Sequence, residues 1–135
     1  MIVIACVDNN MGMMFNNRRQ SQDRVLRDYL MDLMGNSILW MNEYSASQFI
    51  TDYSDRINVD NNFLINIGNS ECCFTENVDV IPYEHLIEKI ILFKWNRDYP
   101  ADFRFSIDLS KWTLAQTDDF AGSSHEKITM EVYVQ

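Results

Sequence analysis

The stretch "IVIACVD", residues 2–8, decides the fold. Six consecutive apolar residues end abruptly on an aspartate, with no polar position between them. A strand with one wet face alternates, whereas a strand covered on both faces does not, and unbroken runs of this kind belong to parallel sheets with helices on either side. Working outward, "SILWM" (37–41), "RINV" (56–59), "ECCFT" (71–75) and "KIILFKW" (89–95) read as further buried strands. Between them lie helical signals. Val25, Leu26, Tyr29, Leu30, Leu33 and Met34 form one apolar stripe, with Ser21 as the expected cap and Gly35 as the stop. "SASQFI" and "DNNFLINIG" suit short helices, and residues 80–87 suit another with Pro82 near its first turn. The last third alternates apolar with polar residues, as antiparallel edge strands do. The expectation is an α/β, three-layer domain spanning residues 1–135: one mixed, mostly parallel sheet flanked by helices. Its strands are expected at 2–8, 37–41, 56–59, 71–75, 88–95, 102–107, 111–116 and 126–134, the first five mainly parallel.

Composition narrows the function classes. The formal charge is −9, with 20 Asp and Glu against 11 Lys and Arg, a balance that repels phosphate backbones and anionic membranes. No nucleic-acid or membrane partner is expected. No apolar run approaches the ~20 residues a span requires, and "MIVIACV" lacks the basic start and cleavage site of a signal peptide. The three cysteines, Cys6, Cys72 and Cys73, lie in apolar strand-like segments. Adjacent strand residues face opposite ways, so Cys72 and Cys73 are expected as reduced thiols, which suits a cytoplasmic setting.

In sheets of this kind ligands bind beyond the carboxyl ends of the strands. The polar stretch "FNNRRQSQD", residues 15–23, follows the first strand and reads either as a solvated loop closing on a helix cap or as a substrate loop. At ~100° per residue Asp23 lies about 80° from the centre of the helix stripe. It is expected to be partly buried yet reachable, with Arg18 or Arg19 near the mouth of its cleft to attract an anionic ligand. Burial would raise its pKa and the helix terminus would lower it. Other chemistry is thinly represented. His85 and His125 stand 40 positions apart, outside any ligand cluster, and no metal site is expected. His125 as a base for neighbouring Ser123 or Ser124 is disfavoured, since adjacent residues rarely meet that way. The four glycines are too scattered for a phosphate loop.

Taken in order, several segments resemble the dihydrofolate reductases. "IACVDNNMG" is similar to their first strand and Asp-x-x-x-Gly turn, and "ILWMNEYSASQF" to the strand and helix carrying Met-Gly-Arg-x-Thr. "ECCFTENVDV" stands where they have a strand running into Gly-Gly. "KIILFKWNRDYPADFRF" resembles the strand pair ending in Asp-Thr-x-Phe-Pro, and "SKWTLAQTDDFAGSSHEKITMEVYV" the final hairpin. The resemblance implies that Asp23 occupies the place of the pterin-binding carboxylate. Its threonine partner is replaced by Phe93, the phosphate-reading arginine by Glu43, and the Gly-Gly by Glu76-Asn77, while Ser45 keeps a hydroxyl where the family has threonine. The family's tight Pro-Trp closure is absent from "NNRRQSQD". An acidic residue in place of arginine reverses a contact worth about 1.5–3 kcal/mol, and side chains in place of glycines obstruct close approach.

Three readings follow. The first is a divergent reductase-fold protein with a degenerate NADPH site that binds a small pterin- or nucleotide-like ligand without hydride transfer, and needs no cofactor. The second is a minimal active reductase using NADPH in an altered mode. The third is a non-enzymatic domain that binds a protein partner.

Overall fold

The computed structural model describes residues 1–135, the side chain of Ile50 excepted. A seven-stranded sheet crosses the centre. Its strands are β1 (Ile2–Val7), β4 (Leu39–Met41), β5 (Ile57–Val59), β6 (Cys72–Phe74), β7 (Lys89–Lys94), β9 (Thr113–Phe120) and β10 (Ile128–Val134), in spatial order β5-β4-β6-β1-β7-β10-β9. The first five are mutually parallel, and β10 pairs antiparallel with both β7 and β9. β1 sits in the middle, which is why its sequence carries no polar position. Ile4 and the half-buried Ile2 and Cys6 pack into one core; Val3, Ala5 and Val7 pack into the other. Cys72 and Cys73 likewise divide between the two cores, and all three thiols are free.

Helix α1 (Arg24–Met34) and the short helices α2 (Glu43–Ala46) and α3 (Ile50–Tyr53) lie on the first face, where Leu26, Leu30, Met31, Ala46 and Phe49 meet the sheet. Helix α4 (Phe63–Asn66) and a 3₁₀ turn over Ile81–Leu86 cover the other. The three-layer arrangement follows from that double coverage.

Two expectations about the strands need correction. The polar stretch after β1 is a hairpin, and the segment at 102–107 does not join the main sheet. β2 (Gly12–Phe15) turns through Asn16 and Asn17 into β3 (Arg18–Arg19), and β8 (Phe103–Arg104) pairs with β2 on its other side, making a separate three-stranded sheet. Asn16 and Asn17 have φ of 51° and 60°, the left-handed pair a two-residue hairpin turn requires and asparagine tolerates. Asp8 gathers the three strands. Its fully buried carboxylate accepts from the backbone N–H of Asn10 (2.8 Å), Gly12 (2.7 Å) and Tyr99 (3.2 Å) and from Gln20 Nε2 (3.0 Å). Burial acts to raise its pKa, but these donors prevail and hold it below the usual value. A Cβ at position 12 would stand 2.7 Å from Ala101 Cβ and 2.8 Å from Asp8 Oδ2, so this crossing needs glycine.

The helix cap also differs. Asp23, not Ser21, caps α1, accepting from Leu26 N–H at 3.1 Å. Ser21 lies two residues too early and turns its hydroxyl to His125.

Candidate functional site

The carboxyl ends of β1, β6 and β7 converge with the start of α1, and two carboxylates flank that convergence. The Cys6 thiol at the end of β1 lies within the field of both Asp23 and Glu76; burial first, then these two charges, push its pKa well up. It is therefore a protonated, unreactive thiol.

Asp23 is 2% exposed, whereas its place on the helix stripe predicts a reachable group. The reason lies a hundred residues away, in the loop between β9 and β10, which folds over it. Asp23 Oδ1 accepts from Leu26 N–H (3.1 Å), Ser123 N–H (2.9 Å) and Ser123 Oγ (3.1 Å). Oδ2 accepts from Ser124 N–H (2.7 Å) and faces His125 Nδ1 at 3.0 Å. Desolvation works to raise the pKa, but the donors from His125, Ser123, Ser124 and Leu26 outweigh it and hold the carboxyl well below the ordinary range. Gly122 makes the closure feasible: a Cβ there would land on Asp23 Oδ2 and stand 2.8 Å from Ile128 Cδ1.

An ionised Asp23 can only accept, so His125 donates to it from Nδ1, and in the neutral form of the ring this leaves the Nε2 lone pair outward. Nε2 lies 3.1 Å from Ser21 Oγ and 3.1 Å from Tyr99 Oη. The imidazole is buried and stacks on Trp95 with centroids 4.4 Å apart and planes at 23°. His125 thus meets neither Ser123 nor Ser124 as base to nucleophile. Its hydroxyl partners come from the approach to α1 and from the segment after β7. The "GSSH" tetrapeptide carries the loop half of this cluster, but periodicity gives no sign that it closes on Asp23.

On the other flank, Arg19 and Glu76 are paired. Arg19 Nε donates to Glu76 Oε2 at 2.9 Å and Nη2 to Oε1 at 3.2 Å, a two-pronged contact with Glu76 buried. The guanidinium lies 4.4 Å from the centroid of the Tyr44 ring, and Nη2 donates to Tyr44 carbonyl O at 3.1 Å. Burial acts to lower the Arg19 pKa, while Glu76 more than compensates and raises it. Beside this pair, Asn42 Nδ2 donates to Asn77 Oδ1 at 2.8 Å, joining the end of β4 to the end of β6.

The remaining sequence-selected residues are dispersed. Arg18 is exposed on β3 and Glu43 is exposed at the start of α2, where its N–H is held by Asn61 Oδ1 at 2.9 Å. Phe93 is fully buried, edge-on to Tyr29 at 5.9 Å and to Phe120 at 6.2 Å. Ser45 is fully buried and its Oγ has no partner among the described residues. Among those residues neither Arg18 nor Arg19 forms an ion pair with Asp23, and no group of three or more His, Cys, Asp or Glu is placed to hold a metal ion. No helix among them is long and apolar enough to cross a membrane.

No family model matches the chain, and no curated protein matches it. Among solved structures it is similar to a dihydrofolate reductase from Enterococcus faecalis complexed with NADP(H) and RAB-propyl, with a TM-score of 0.63 over 99% of this chain and 95% of that one, at 8% identity. The fold is therefore dihydrofolate-reductase-like.

Proposed function

We propose that this chain is a divergent dihydrofolate-reductase-fold protein that has lost NADPH-dependent hydride transfer and retains room for one small, flat, pterin- or nucleotide-like ligand. The observation carrying this reading is that the strand-end cleft is filled by the protein's own groups. Where the resemblance places a glycine pair, Glu76 is tied to Arg19 and Asn77 to Asn42. A pyrophosphate at that point would meet a buried carboxylate and displace a two-pronged ion pair. Asp23, where the resemblance places the pterin-binding carboxylate, has its accepting directions taken by the chain itself.

One space for a ligand lies elsewhere, smaller than the cavities beside Trp112 and beside Trp95. A cavity of about 190 Å³ is lined by Asn61, Asn62, Phe63, Leu64, Val78 and Tyr83. A lining of apolar side chains, one tyrosine and two asparagines suits a ring with polar edges, and the cavity's size falls below the ~300 Å³ at which drug-sized ligand sites begin. The test is a thermal-shift and fluorescence titration with NADPH up to about 1 mM, beside free adenine and pterin. No response to NADPH with a response to a ring compound is the expected result. A saturable NADPH shift would overturn the reading and restore an active reductase.

A second reading, a protein-binding domain, is favoured by one feature. β9 is an edge strand whose residues Thr113–Asp119 are all exposed, with Leu114 at 48%, and such an edge accepts a strand from a partner. Co-purification of one stoichiometric partner, abolished by Gln116→Pro, would select it.

A further inference from the structure

We infer that Ser21, His125 and Asp23 form a nucleophilic relay able to accept an acyl group from a small ester. The inference rests on the reading above that Asp23 has left folate chemistry. Three features carry it. The distances are those of a relay in working order: Asp23 Oδ2 to His125 Nδ1 is 3.0 Å, and His125 Nε2 to Ser21 Oγ is 3.1 Å. The burial is graded: Asp23 and His125 are 2% and 4% exposed, while Ser21 is half-buried and so the most accessible residue of the three. The ring orientation is fixed twice, by the carboxylate at Nδ1 and by the Trp95 indole stacked on its face.

The cluster holds one base and two hydroxyls. The Nε2 lone pair accepts one proton, so either Ser21 or Tyr99 donates at a given moment. When Ser21 Oγ attacks an ester carbonyl, its proton passes to Nε2 and a C–O bond forms. The phenol of Tyr99, no longer donating to Nε2, is free to donate to the developing oxyanion. Collapse of the tetrahedral species breaks the bond to the leaving alcohol, which takes the proton from Nε2. Water then enters by the same route, releasing the carboxylic acid and restoring Ser21. The net reaction is ester plus water giving acid plus alcohol, and it requires no further reactant. Ser21 and His125 are the catalytic residues; Asp23 is a positioning residue that fixes the tautomer.

The probe is a fluorophosphonate applied to the folded, unmutated chain, with p-nitrophenyl acetate as a second acyl donor. The expected result is a single adduct on Ser21, found by intact mass and peptide mapping. His125→Gln should slow it about 100-fold, in line with the loss of general-base assistance. Ser110→Ala, an exposed serine whose hydroxyl bonds only to Asp108, should leave the rate within a few-fold. The titratable groups facing the imidazole are Asp23 and Tyr99, while Glu126 and Lys127 beside it are exposed. The rate should rise with pH through one ionisation, and Asp23→Asn should move it. Absence of an adduct, an adduct spread over other exposed serines, or an adduct on Tyr99 would overturn the relay. Any of these would leave the NADPH titration unaffected, and an NADPH shift would not alter the labelling pattern.

Discussion

Replacing Asp23 with asparagine separates a helix cap from a buried anchor. A first-turn aspartate exchanged for asparagine is expected from the sequence to change stability by no more than about 1 kcal/mol, because asparagine caps equally well. The structure demands more. Five donors converge on the two carboxylate oxygens. An amide placed with its oxygen at the Oδ1 position keeps the Leu26 and Ser123 donors, but its NH₂ then confronts Ser124 N–H and His125 Nδ1–H. His125 can relieve one conflict by moving its proton to Nε2. Ser124 N–H has no such recourse and loses its acceptor, at about 1–3 kcal/mol. Weakening the remaining bonds from charge-assisted to neutral adds about 1 kcal/mol more. The expected loss is about 2–4 kcal/mol in urea denaturation at pH 7, with an unchanged m-value. The pH dependence has a definite sign. The folded pKa of Asp23 is lowered, so its contribution is complete above the ordinary value of 3.8 and is lost as pH falls below that toward the folded value. The wild-type advantage over Asp23→Asn should therefore hold at pH 6–8 and shrink below about pH 4. A difference under 1 kcal/mol at pH 7, or one independent of pH down to about 3, would refute the anchoring role.

Arg19→Ala leaves the Glu76 carboxylate without its ion-pair partner and is expected to cost about 2–3 kcal/mol; in a double-mutant cycle with Glu76→Gln the coupling should exceed about 1 kcal/mol, and additive effects would show that the pair does not hold the cleft closed. Asn17→Gly places the residue best suited to φ of 60° at the second hairpin position and is expected to raise stability by about 0.5 kcal/mol, read as a higher urea midpoint; a decrease would contradict the turn assignment.

The sequence by itself determined the central architecture. Short unbroken apolar runs bounded by turn residues read as strands covered on both sides, so β1, β6 and β7 and the parallel arrangement were legible from hydropathy, as was the stripe of α1. The alternation after residue 101 correctly announced antiparallel strands, yet it placed Phe103–Arg104 in the wrong sheet. Their position is set by the buried Asp8 carboxylate, which draws Tyr99 toward the loop after β1, a contact spanning 91 residues. The hairpin at Asn16–Asn17 did leave a local signal, two adjacent asparagines able to take positive φ, that its polarity disguised as a loop. The site was less legible. Asp23 could be singled out from its place on the helix, but not its partners, since Ser123, Ser124 and His125 lie 100 to 102 positions away. Hydrophobic patterning encodes which face of an element is buried. Which polar groups then meet at the ends of those elements depends on how loops close over the sheet, and only the tertiary structure fixes that.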